Sequence, residues 1–113
     1  MKSIGEEAFN SSNLSSITIP EGLESIGSHA FYYTNLTSIT IPASVTSIGD
    51  GAFQSTFSLT DIIVNQFNNN YSSDNDGVLF DSNTNTLICY PRKNTRISYE
   101  IPASVTSIGD YAF

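Results

Sequence analysis

The decapeptide IPASVTSIGD occurs twice without change, at residues 41–50 and again at 101–110. Around the first copy, SITIPASVTSIGDGAF at 38–53 is matched by SITIPEGLESIGSHAF at 16–31, and its tail by SIGEEAF at 3–9. A phrase that returns at a fixed phase marks stacked structural units, each unable to bury its apolar side alone. In a chain of 113 residues such units amount to one domain of a few coils with a thin, long core.

The repeating pattern reads LxxIxIPxx(V/L)xxIGxxAF, with Pro20 and Pro42 separated by 22 residues. It divides the chain into a partial coil at 1–13, repeats at 14–35 and 36–58, an irregular repeat at 59–95 and a partial repeat at 96–113. Leu14, Ile17 and Ile19, then Leu36, Ile39 and Ile41, alternate with Ser and Thr. That alternation predicts strands with the aliphatic side chains inward and the hydroxyls outward, each closed by a proline that cannot donate to a ladder. A second short extended segment places Leu23 with Ile26, and Val45 with Ile48, inward. Gly27, Gly49 and Gly109 follow at one phase, where a bend that a Cβ would obstruct leads into a tight helical turn. Phe9, Phe31, Phe53 and Phe113 are then expected to stack as one ladder.

The third unit keeps the rhythm with one extra residue, Leu59, Ile62 and Val64 standing in for Leu36, Ile39 and Ile41. Then the period breaks: Asn65 to Pro102 spans 37 residues, about 15 more than a coil needs. The surplus holds the turn-rich NNNYSSDNDG at 68–77, the apolar Val78 to Phe80, the turn DSNTN at 81–85 and the strand TLICYP at 86–91. Two apolar strands across a five-residue polar turn predict a β-hairpin that projects from, or thickens, one face of the stack. RISYEIP at 96–102 restarts the repeat, and the chain closes mid-coil at the phase where it opened, as a portion of a longer array would. Open apolar ends and unpaired edges predict end-to-end self-association.

Chemistry finds little purchase here. The net charge of −7 opposes binding to nucleic-acid phosphates. Three of the four basic residues, Arg92, Lys93 and Arg96, share one loop and read as solvated. No apolar run approaches the ~20 residues of a membrane span. Cys89 is the only cysteine and His29 the only histidine, on separate units, so neither an activated nucleophile nor a His/Cys metal site is expected. Asp74, Asp76 and Asp81 surround Gly77 without the alternating spacing of a calcium loop, and read as a solvated acidic turn. Asn10, Asn13, Asn35 and Asn70 head Asn-x-Ser/Thr sequons of the kind that so polar a chain produces by chance. No catalytic residue and no cofactor is expected.

LTSITIPASVTSIGDGAF at 36–53 and YSSDNDGVLFDSNTNTLICYP at 71–91 resemble the BspA-like class of leucine-rich repeats, and the resemblance covers nearly the whole chain. It implies a mainly β fold with short helical turns, a right-handed parallel β solenoid carrying one inserted β-hairpin. It also implies a secreted or surface-attached protein of a bacterium or protist, engaged in attachment to host proteins or other microbes. The class often carries Cys three residues after the Phe. Here Ser12, Thr34 and Thr56 stand instead, small inward polar groups able to hydrogen-bond neighbouring coils.

What remains as a candidate site is a surface. Ser16 and Thr18, Ser38 and Thr40, Asp61 and Ile63, and Ser98 and Glu100 are the outward residues of the expected main sheet. With strands ~4.8 Å apart they form two rows across the coils, a shallow platform for a protein or glycan partner. The expectation is a non-enzymatic adhesion module, or alternatively a structural spacer with no ligand of its own.

Overall fold

The computed structural model describes residues 2–93 and 98–113; Arg96 and Ile97, at the start of the expected partial repeat at 96–113, lie outside the described residues. Strands β1 (Ser3–Ile4), β2 (Ser25–Ile26) and β4 (Ser47–Ile48) form a parallel sheet in the order β1-β2-β4. Ser3 pairs with Ser25 and Ser25 with Ser47, one repeat apart, so the SIG phrase of each coil lies on that of the next. On the other side β3 (Ser38–Ile41) and β5 (Asp61–Val64) run parallel, with Ile39 on Ile62 and Ile41 on Val64. Between the two sheets Leu23, Leu36, Ile41, Val45, Leu59 and Ile62 are completely buried. This is a parallel β solenoid, and the inward alternation read from the sequence is its core.

The segment after the SIG phrase is not helical: no helix occurs among the described residues. Local bonds do span three residues, as in Ala30 N–H to Gly27 O and Tyr32 N–H to His29 O. The intervening donors leave the coil. Glu7, Phe9 and Ser11 donate to the carbonyls of Ser28, Ala30 and Tyr32, and His29, Phe31 and Tyr33 donate to Asp50, Ala52 and Gln54. A helix would keep all these bonds within one coil. Here alternate N–H groups point along the stack, which requires left-handed residues at Glu7, Ser11, His29, Tyr33 and Ser55. Thr34 and Thr56 are buried, and their hydroxyls donate to Phe31 O and Phe53 O of their own coil rather than to a neighbour.

Close approach, not backbone conformation, explains the recurrent glycine. A Cβ at Gly49 would lie 2.3 Å from the Ser28 nitrogen, and one at Gly27 would lie 2.5 Å from the Glu6 nitrogen. Stacking at this distance brings Phe9 and Phe31 to 5.4 Å, and Phe31 and Phe53 to 5.6 Å, with rings within 8° of parallel.

The expected first strand at 14–19 does not form. Asn35 N–H and Thr37 N–H bond Leu14 O and Ser15 O, and the register ends there. Ile17 and Ile19 still pack on the core, partly exposed.

The expected hairpin is present as β7 (Leu79–Asp81) and β8 (Thr86–Cys89), antiparallel. A further strand missed by the sequence reading, β6 (Tyr71–Ser73), pairs with β7, while β8 pairs in parallel with β9 (Ser107–Ile108). The insertion therefore does not project from the stack: it supplies the rung on which the returning SIG phrase is laid. Tyr71, Leu79 and Cys89 enter the main core, and Val78 and Leu87 found a second one with Ala112. Tyr71 also sends its hydroxyl to accept the Ile48 N–H at 2.8 Å, satisfying the outer edge of β4. Phe113 does not extend the phenylalanine ladder; it stacks on Tyr90 at 5.3 Å.

Candidate functional site

The outward rows form where two full coils face each other. Ser38 lies beside Asp61 and Thr40 beside Ile63, in register. Ser38 and Thr40 are exposed, Asp61 is half-buried, and Ile63 is 51% exposed on a face that is otherwise polar. The rows do not extend as far as the sequence suggested. Ser16 and Thr18 are exposed but belong to the segment that makes no ladder. Ser98 and Glu100 are exposed and lie in no strand. The outer edge of β5 is already occupied: Ile62 N–H bonds Gly77 O at 3.0 Å and Val64 N–H bonds Ser73 Oγ at 2.9 Å. Gly77 sits so close that a Cβ there would lie 2.7 Å from Asp61 Cα. The ladder of the platform is thus two strands wide, bounded on one flank by the 74–77 turn.

The Asp74 carboxylate closes that turn and ties it to Tyr99. Asp74 Oδ1 accepts the N–H groups of Asp76 and Val78, and Oδ2 accepts the Tyr99 hydroxyl at 2.6 Å. Burial, reinforced by the Asp74 carboxylate, raises the Tyr99 pKa well above its ordinary 10.0. Asp81 accepts from Asn83 and Thr84 at the hairpin turn. No cluster of three metal-ligating side chains occurs among the described residues.

Cys89 is buried in the core, and burial pushes its thiol up to about 12, far from the thiolate that a nucleophile needs. His29 lies on the turn side, with Nε2 at 3.2 Å from Gln54 Oε1 and its ring edge-on to Tyr32 and Tyr111. These contacts orient the ring. In the basic loop the Arg92 guanidinium lies 4.5 Å over the Phe57 ring, while Lys93 N–H donates to Leu59 O.

A surface feature that sequence reasoning passed over is the aromatic strip that begins at this arginine. Phe57 meets Tyr33 edge-on at 5.7 Å, and Tyr33 lies 6.2 Å from Tyr32. Tyr33 and Phe57 are about half exposed. They occupy variable phases of the repeat, so no periodic signal marks them.

The BspA type leucine rich repeat region matches residues 1–99, in six copies. Among solved structures the chain is similar to a leucine-rich repeat protein from Eubacterium ventriosum, at 33% identity and a TM-score of 0.90, covering 96% of this chain and 29% of that one. It is similar also to a leucine rich cell surface protein from Faecalibacterium prausnitzii, at 28% identity and a TM-score of 0.80, covering 96% of this chain and 35% of that one. The pneumococcal vaccine antigen PcpA shares the fold at 23% identity and a TM-score of 0.51, over all of this chain and 40% of that one. The chain thus spans well under half the length of these proteins. No curated protein matches it. The superposed rungs, the stacked phenylalanines and these matches agree: the chain belongs to the BspA-type leucine-rich repeat family.

Proposed function

We propose that this chain is a non-enzymatic binding module of a cell-surface or secreted protein, holding a protein or glycan partner against the main sheet face. The observation that carries this reading is the pair of in-register outward rows, Ser38 with Asp61 and Thr40 with Ile63. Small hydroxyls and a carboxylate offer hydrogen bonds on a two-stranded support, and the exposed Ile63 supplies an apolar anchor beside them. An isolated large apolar side chain within a polar rim is how compact recognition patches are built. Ser16 and Thr18 on one side, and Ser98 and Glu100 on the other, extend the contact beyond the ladder. The description of the Faecalibacterium relative as a cell surface protein supports the location.

The test is binding of the purified chain to a glycan array and to a panel of immobilised extracellular-matrix proteins, with and without Thr40→Lys and Asp61→Lys together. Thr40 is exposed and Asp61 half-buried on this face, so the variant's fold is checked by its urea midpoint, and a folded variant should weaken any capture about tenfold or more. Equal capture by the variant would move the site off this face. A blank panel would favour the spacer role.

A further inference from the structure

The inserted meander creates a cleft of its own. Where its edge meets the coil at 102–107, a cavity of about 180 Å³ opens between β7 and that coil. Phe80 and Val105 line it and pack on the second core behind them. Around them stand Asp81, Asn85, Ser72 and Ser104. Apolar backing stands with hydroxyl, amide and carboxylate groups at the rim, and each part limits what could occupy it.

The volume suits one small ring or a single residue of a longer ligand, since pockets that enclose drug-sized ligands begin at ~300 Å³. Anions are opposed by the Asp81 carboxylate and the net charge of −7. A metal ion would need several oxygen ligands on one centre, and no cluster of three acidic, His or Cys side chains exists among the described residues. A neutral, rigid, hydroxyl-rich ring meets every requirement. The C–H face of a pyranose stacks on an aromatic ring, and Phe80 is the aromatic side chain that lines the cleft. Its hydroxyls need paired donors and acceptors. Asp81 has Oδ1 fixed by Asn83 N–H at 2.9 Å and Thr84 N–H at 3.2 Å, which orients Oδ2 as an acceptor. Ser72 Oγ receives the Ser82 hydroxyl at 3.2 Å and keeps its own hydrogen to donate. The Asn85 amide offers both roles.

The walls are also fixed in advance. Thr106 N–H bonds Asn85 O at 2.8 Å, Gly109 N–H bonds Leu87 O at 2.8 Å, and the Thr86 and Ser107 hydroxyls meet at 2.7 Å. A cleft held open by such bonds asks little ordering of its ligand.

We infer that this cleft is a monosaccharide-binding site, taking one neutral pyranose with its apolar face on Phe80 and its hydroxyls on Asp81, Asn85 and Ser72. The site is separate from the sheet face and stands whether or not that face has a partner.

The experiment titrates the 15N-labelled chain with the methyl glycosides of glucose, galactose, mannose and N-acetylglucosamine, and with sorbitol as an acyclic polyol. At least one pyranoside should move the amides of Ser72, Phe80 to Asn85 and Val105 saturably, with a Kd of about 1 mM. Sorbitol should leave them in place. Asp81→Asn, which keeps an oxygen for the turn, should weaken binding about tenfold. Ser104→Arg, a substitution at an exposed position that fills the cleft, should abolish it, while Thr40→Lys should leave it unchanged. The proposal is overturned if no pyranoside shifts these amides, if sorbitol does so equally, or if Ser104→Arg binds undiminished. Should Asp81→Asn disturb the hairpin turn, seen as displaced resonances throughout 81–86 without ligand, the Ser104→Arg result decides alone.

Discussion

The same ten residues sit in two environments in this molecule. In the first IPASVTSIGD, within the regular stack, Ile41 and Val45 are completely buried and Pro42 is buried with them. In the second, beyond the insertion, Ile101 is 40% exposed, Ile108 is 52% exposed and Pro102 is exposed. Local sequence cannot account for the difference, because there is none. What differs is the neighbour: the first copy has β5 and the coil at 23–31 on its two sides, whereas the second, among the described residues, is laid on the β7–β8 hairpin on one side. In a solenoid the burial of a residue is a property of the rung above and the rung below, and sequence identity guarantees shape without guaranteeing stability.

The sharpest test replaces the same side chain in both copies. Ile41→Ala empties a fully buried position and should cost about 2–5 kcal/mol, while Ile101→Ala, partly in water already, should cost under about 1 kcal/mol. Urea unfolding midpoints measured side by side would show it. Similar losses from the two substitutions would mean that the second copy is packed as tightly as the first, and the contrast would fail.

Glycine gives the next largest effect. At Gly49 a Cβ would lie 2.3 Å from the Ser28 backbone, which cannot retreat without parting two coils; at Gly109 the nearest atom, Leu87 O, is 3.4 Å away. Gly49→Ala should cost about 3 kcal/mol through overpacking. Gly109→Ala should be neutral, or gain about 0.5 kcal/mol by restricting the unfolded chain. The difference in denaturation midpoint between the two variants measures how much closer the regular coils approach.

How much of this was legible follows from the range of the interactions concerned. The stacking register could be read because it is written into the chain every 22 residues, or 23 at the third unit, and Ile26 lies on Ile48 and Ile39 on Ile62 as the pattern requires. The β7–β8 hairpin was legible because its turn and its apolar strands are contiguous. The staircase after each glycine was not. Its short-range bonds have the spacing of a tight helix, and the left-handed positions are filled by Glu7, His29 and Tyr33 as well as by Gly51, so composition gives no warning. Strand β6 hides in a polar run because only Tyr71 among its three residues is buried. The width of the sheet face was overestimated for the same reason: nothing local announces that Gly77 will occupy the edge of β5. The cleft joins residues more than 20 apart, such as Phe80 and Val105, and exists only after the insertion has docked.

The contrast extends to pH. The groups whose protonation is shifted upward by burial, Tyr71, Cys89 and Tyr99, all belong to the interrupted half. For Cys89 the thiol rises from an ordinary 9.0 to about 12. Below pH 9 the folded and unfolded chains both hold this proton, so it contributes no pH dependence. Between pH 9 and 12 the unfolded chain loses the proton while the folded chain keeps it, so unfolding is favoured as pH rises, by about 1.4 kcal/mol per pH unit for this one group. Tyr71 and Tyr99 act in the same direction at higher pH. Unfolding free energies by urea at pH 8, 9, 10 and 11 should therefore be flat to pH 9 and then fall, and Cys89→Ala should remove the earliest part of that fall. If the variant and the parent chain lose stability along the same curve from pH 9 to 10, the thiol is not sequestered, and the rung that the insertion supplies is looser than the two cores on either side of it imply.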